Sequence, residues 1–344
     1  MARPLRVDRR DGWYHVTARG LERRDLFNDQ RDRLHFLELL EEMTQLFRVH
    51  VHAYVLMSNH YHLVMQTPEA NLSRAIQWLN VSYAAWFNRR HGRVGPLFQG
   101  RFKGLLVEDA GWAYELSLYV HLNPVMRKAH GLDKQGKQQE KKGLSPASPE
   151  QVARRLAELR SYPWSSYRAY GGYAAAPKWL TTKAVLAWAG GVRGGASASY
   201  RKTVKERLLM GADESKSEAR RDAFALGSEA FRAGVRKMIK GGREIVEPTG
   251  LASRPSWPEL VRMVERLLNE KADSFLNHRG SFGIPLLLWS ARRYGGMTLR
   301  EVGTAAGGMD YTAVAMRIKR LDQRVRVDPK LRKLQQDLAA QCEM

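Results

Sequence analysis

The order in which hydrophobic periodicity switches between two residues and about three and a half constrains this chain more than any single motif. Trp13 to Ala18 is short, aromatic and β-branched ahead of Gly20, as suits a first strand. From Arg31 to Phe47 the apolar residues Phe36, Leu39, Leu40, Met43, Leu46 and Phe47 recur at helical spacing. Two strand-like runs follow, Val51 to Met57 and His60 to Thr67, split by the turn pair Ser58-Asn59. Asn71 is placed to cap a helix whose stripe is Leu72, Ala75, Ile76, Leu79, Tyr83, Trp86 and Phe87. A fourth strand fits near Arg101 to Val107. A last helix runs from about Ala110 and must stop near Asn123, because Pro124 disfavours helical geometry in the residue before it.

The order βαββαβ plus a final helix predicts an α+β fold, a ferredoxin-like antiparallel sheet with helices on one face. Residues 133–150 are dense in Lys, Gln, Gly, Ser and Pro and read as a surface insertion. No clear period emerges from there to about Pro248, although Trp164, Tyr167 and Trp179 offer anchors. The last section is helical again: Trp257, Leu260, Val261, Val264, Leu267 and Leu268 form one stripe, and Ile284 to Tyr294 suits another helix. Thr298-Leu-Arg-Glu301 matches a capping box, Gly307-Gly308 a turn, and Asp310 a cap for a helix carrying Tyr311, Thr312, Arg317, Lys319 and Arg320. On spacing alone this is a helix-turn-helix or an ordinary helical hairpin; the basic second helix favours the first. The expected division is 1–170 as a catalytic domain, 171–250 as a mixed linker or extension, and 251–344 as an all-α helix-turn-helix domain.

A net charge of +22 over 344 residues fits a polyanionic partner, and nucleic acid before lipid, since no long apolar run or basic amphipathic membrane segment is present. The single cysteine, Cys342, excludes disulfides within the chain. Met1 to Asp11 lacks the apolar core of a signal peptide. A cytoplasmic protein without a membrane partner is expected.

Two local features carry chemistry. His60 and His62 flank Tyr61 on a strand, so their side chains project from one face with Cα atoms about 6.6 Å apart. Two imidazoles so placed can share a divalent cation, though the spacing also arises by chance. His50-x-His52 shows how readily it does, and reads as structural or solvent-facing. On the last helix, Glu115, Tyr119 and Asn123 are four residues apart and lie along one face, while His121 lies on the opposite one. A phenol and a carboxamide on that stripe can meet a cation held by the sheet. Equally, Tyr119 suits a core aromatic and Asn123 a helix terminator.

Taken in order, Trp13-Tyr-His-Val-Thr-Ala-Arg-Gly20, Val51 through Val64 with its Asn59-His60-Tyr61-His62, Gly95-Pro-Leu-Phe-Gln-Gly-Arg-Phe-Lys103, Tyr119-Val-His-Leu-Asn-Pro-Val125 and Tyr162-Pro-Trp-Ser-Ser-Tyr167 resemble the single-tyrosine HUH transposases, especially the REP-associated tyrosine transposases. The resemblance implies a metal-dependent endonuclease and strand transferase acting on single-stranded hairpin DNA through a 5′-phosphotyrosine intermediate. Tyr119 would be the nucleophile, with His60, His62 and Asn123 holding Mg²⁺ or Mn²⁺. Arg19, Arg101 and Lys103 suit DNA phosphates. Trp112 and Tyr114 suit base stacking and a core role equally. The segment Tyr294 to Val314 is similar to the DNA-binding domain of the replication initiator DnaA, which implies duplex contacts from Tyr311, Thr312 and Arg317. A monomer or a homodimer is expected. The competing functions are a non-catalytic DNA-binding regulator and an HUH nickase for replication or conjugation.

Overall fold

The computed structural model describes residues 7–126, 147–190, 195–210, 224–239, 245–246, 255–276 and 281–343. The chain divides into two compact units, the first made of Met1–Thr44 and Arg48–Thr249 and the second of Gly250–Met344 with Gln45–Phe47.

In the first unit, β1 (Val7–Asp8), β2 (Gly12–Arg19), α1 (Gln30–Phe47), β3 (His50–Leu56), β4 (His60–Thr67), α2 (Leu72–Arg90), β5 (Lys103–Val107) and α3 (Ala110–Leu122) follow in the expected order. The sheet order is β3-β4-β2-β5-β6, with β6 (Ala225–Leu226) running parallel to β5 and the other pairs antiparallel. Strand β1 pairs separately with β7 (Ile245–Val246). The two-residue β6 is too short to show a period, which is why four strands rather than five are legible in the sequence.

Antiparallel register fixes the faces. Arg19 lies opposite His60 and Thr17 opposite His62 on one side of β2, and Thr17 lies opposite Lys103 on the other. Arg19, His60, Thr17, His62 and Lys103 therefore share one face. Tyr61 points to the other face, where its ring meets Phe36 of α1 at 4.9 Å and its hydroxyl donates to Asn80 Oδ1 of α2 at 2.7 Å.

Helices cover both faces of the sheet, not one as the sequence order suggested. Helix α3 packs across β3, β4 and β2 on the histidine side. Ala113, Leu116, Leu118, Val120 and Leu122 are all buried, so α3 is apolar over most of its circumference. A helix of that kind needs cover on its outer side as well. The cover comes from α4 (Pro149–Ser161) and α5 (Gly195–Leu209) with the single turns Tyr167–Tyr170 and Lys183–Leu186. Val152, Leu159, Tyr167, Tyr170, Val185, Tyr200, Val204 and Leu208 join α3 in one core. Of the expected insertion, 133–146 lies outside the described residues; Pro149 and Glu150 open α4, where Ser148 and Gln151 form a capping box. Helix α6 (Glu229–Ile239) follows β6.

The second unit is all helical: α7 (Trp257–Leu268), α8 (Ala272–Leu276), α9 (Gly283–Arg293), α10 (Leu299–Ala305), α11 (Tyr311–Val327) and α12 (Pro329–Glu343). Thr298 and Glu301 form the capping box of α10, and Asp310 caps α11 by accepting from the Thr312 N–H at 2.9 Å. The turn between them uses Gly307 and Gly308 at φ +83° and +82°. At Gly303 a Cβ would stand 2.1 Å from the Met309 carbonyl oxygen, so α10 and the turn approach as closely as they do only because that residue has no side chain. Among the described residues, no helix is long and apolar enough to cross a membrane.

Candidate active site

Asn59 begins the site. Its backbone carbonyl accepts from Gly20 N at 2.9 Å, and Ser58 O accepts from Leu26 N at 2.7 Å, so the β3–β4 turn is tied to the chain leaving β2. The Asn59 side chain donates from Nδ2 to Arg23 O at 3.0 Å, which leaves Oδ1 facing His60 Nδ1 at 2.7 Å. An amide oxygen only accepts, so His60 carries its proton on Nδ1 and presents a lone pair at Nε2. Burial, helped by the charge of Arg19, lowers the His60 pKa to about 4. The imidazole is neutral at pH 7, the state in which it can ligate a metal.

His62 is 7% exposed, and its Nδ1 lies 2.9 Å from Nε2 of His15, itself 5% exposed. The His60 and His62 ring centroids are 5.1 Å apart. Tyr119, half-buried on α3, sets its ring edge-on to both His62 at 5.7 Å and His15 at 5.9 Å. The structure thus sets Tyr119 of the covering helix α3 against His62 of β4 and His15 of β2, with His60 beside His62 on the same strand. His15 was not singled out in the sequence. It lies two residues from Thr17 on the same side of β2, and the β2–β4 register, which pairs Thr17 with His62, sets it beside the pair.

Asn123 follows the end of α3 and donates from Nδ2 to Tyr119 O at 2.9 Å, which ties it to the turn bearing the phenol. Arg19 and Lys103 are exposed on the histidine face; Arg101 is exposed just ahead of β5. Glu115 pairs with Arg207 of α5. His121 is buried away from the site, its Nδ1 2.7 Å from Tyr200 Oη and its Nε2 2.6 Å from Ser166 Oγ. Tyr114 is a core residue: buried, edge-on to Tyr200, its hydroxyl donating to Thr203 Oγ1 at 3.2 Å. Trp112 is partly buried against the same core.

The second histidine pair differs. A β-bulge separates Val51 from Ala53, so His52 is the extra residue, stacked on Trp13 at 4.2 Å with Nδ1 2.8 Å from Thr181 O. His50 is exposed.

In the helical unit, Tyr311 and Thr312 are exposed at the start of α11, and the Thr312 hydroxyl donates to Asp310. Arg317, also exposed, lines a cleft of about 800 Å³ with Phe282, Arg320 and Arg324. These three arginines stand at i, i+3 and i+7, a stripe distinct from the exposed start of the helix.

Among the described residues no group of three or more His, Cys, Asp or Glu side chains forms a metal cage. The pair His60 and His62 is a two-imidazole donor set, His62 buried and His60 half-buried, with the tautomer of His60 fixed by an outer amide oxygen. That donor set fits a cation whose remaining positions are filled by an amide oxygen, water and phosphate.

Residues 9–121 match the family described as IS200-like transposase. The match covers about a third of the chain. The matched segment contains His15, Arg19, His60, His62, Lys103 and Tyr119, and ends two residues before Asn123. A solved structure described as a REP-associated tyrosine transposase bound to a REP hairpin matches 57% of this chain and 97% of its own, at 15% identity and a TM-score of 0.36. No curated protein matches the chain.

Proposed function

We propose that the first unit cuts and rejoins single-stranded DNA, with Tyr119 as nucleophile. One observation carries the reading: within the segment that matches the IS200-like family, a half-buried phenol lies edge-on to the buried imidazoles of His62 and His15, on the face of the sheet shared with Arg19 and Lys103.

Tyr119 Oη attacks the scissile phosphorus, the P–O3′ bond breaks, and a tyrosyl ester to the 5′-phosphate replaces it. The phenol releases its proton and the departing 3′-oxygen takes one up. The ester conserves the phosphodiester's energy, so a later 3′-hydroxyl can reverse the step without ATP. A phenol with an ordinary pKa near 10 is a weak nucleophile at neutral pH. Holding it in line therefore supplies much of the rate, and α3, locked between sheet and outer helices, does the holding. His60, His62 and the Asn123 amide would hold Mg²⁺ or Mn²⁺, which when bound polarises the phosphoryl oxygen and stabilises the developing charge. Arg19, Lys103 and Arg101 guide the phosphates of a hairpin substrate. In the second unit, Tyr311 and Thr312 suit duplex DNA at the start of the second helix of a DnaA-like helix-turn-helix, with Arg317 on its flank.

Incubating the protein with single-stranded hairpins and Mn²⁺ should give an adduct that survives denaturant, and Tyr119→Phe should give none. An adduct of equal yield from Tyr119→Phe refutes the assignment; no adduct from the unaltered protein across many hairpins favours a DNA-binding regulator. A joining assay with a second DNA end separates strand transfer from simple nicking.

A further inference from the structure

We propose that His15 is a positioning residue for the cation: it accepts the Nδ1–H of His62 and so holds the His62 Nε2 lone pair toward the site. This rests on the reading of His60 and His62 as ligands, and adds a residue which that reading does not use.

The geometry is specific. His15 and Thr17 are alternate residues of β2, and Thr17 is the register partner of His62, so His15 is the diagonal neighbour of His62 on one face. The two rings lie nearly parallel, 15° apart, with centroids at 5.1 Å and the contact nitrogens at 2.9 Å. Both side chains are buried. A hydrogen bond between two neutral imidazoles carries one proton, so it has two arrangements. If His62 donates from Nδ1, its Nε2 is the nitrogen with the lone pair. If His15 donates instead, His62 carries its proton on Nε2 and cannot ligate through it. His60 shows the same design with a different acceptor: Asn59 Oδ1 takes its Nδ1–H, and Arg23 O in turn fixes the Asn59 amide. Both members of the pair thus have an outer acceptor at Nδ1, an amide oxygen for one and an imidazole nitrogen for the other. Outer acceptors of this kind fix the tautomer and ring orientation of ligating histidines and raise their basicity.

The experiment measures Mn²⁺ binding to the full chain by the loss of free-ion paramagnetic resonance, alongside nitrogen NMR of the histidines. His15→Phe keeps a stacked ring without an acceptor, and His15→Gln restores an acceptor of similar reach. The expected result is an affinity loss of about 10–100-fold for His15→Phe, with partial recovery in His15→Gln. In the unaltered protein loaded with Mg²⁺, His62 should be protonated at Nδ1. Equal Mn²⁺ affinity in His15→Phe, or a His62 protonated at Nε2 in the loaded protein, overturns the proposal while leaving the ligand reading intact. Absence of Mn²⁺ binding in the unaltered protein overturns the ligand reading and this proposal with it. If His15→Phe does not fold, the His62 protonation site decides.

Discussion

Two His-x-His pairs lie on adjacent strands of one sheet, and the structure treats them differently. On β4 the alternation is unbroken, His60 and His62 stand side by side, and each has a hydrogen-bond partner at Nδ1. On β3 a bulge falls at His52, which is used instead to stack on Trp13 and to bond Thr181 O, while His50 is left at the surface. A bulge inserts an unpaired residue and re-aims its side chain, so the β3 pair no longer presents two imidazoles to one point. The spacing is the same in both; what distinguishes a candidate site from a packing element is an uninterrupted ladder with outer partners behind it.

The largest effect should come from His62→Ala, which is expected to lower the rate of DNA adduct formation by at least about 100-fold, in line with losing a cation that stabilises transition-state charge. His50→Ala should stay within about twofold in the same assay. Comparable losses in the two would erase the distinction. Next, His52→Ala should cost about 1–3 kcal/mol of stability in urea unfolding by leaving a buried carbonyl partner and a stacked indole behind. An adduct rate reduced as far as by His62→Ala would show that the β3 pair shares the site.

A smaller effect follows from pH. Burial lowers the His52 pKa to about 4 and that of fully buried His121 to about 3, from an ordinary 6.5. Between those values the unfolded chain binds protons that the native protein excludes, so stability rises with pH across the window. The contribution is complete above about pH 6.5 and is lost as pH falls toward 4 and then 3. Urea midpoints at pH 7.5 and 5 should show the drop, and His52→Gln should flatten it in part. The smallest effect is expected from His50→Ala on stability, within about 0.5 kcal/mol.

Much of this was legible in the sequence where periodicity is long. The 18 residues of α1 and the 19 of α2 announce their buried stripes, and β4 was bounded correctly as His60 to Thr67. The stretch from Glu150 to about Pro248 shows no period, because its helices are short or bury only a few residues, such as Val152, Arg155 and Leu159 in α4 and Tyr200, Val204 and Leu208 in α5. The face covered by α3 is hidden from the sequence for a related reason: a helix buried on most sides has no stripe to read. At the site, His60, His62 and Tyr119 were visible as a strand pair and a helix stripe. His15 was not, since its role depends on register between β2 and β4, a long-range property that no local spacing encodes. The separation of Arg317 from Tyr311 and Thr312 likewise depends on which side of α11 faces the cleft.

The most direct measurement is peptide mass spectrometry of the protein–DNA adduct after nuclease and protease digestion. A nucleotide joined through its 5′-phosphate to the peptide containing Tyr119 is the expected result. Attachment at another tyrosine, or through a 3′-phosphate, would contradict the account.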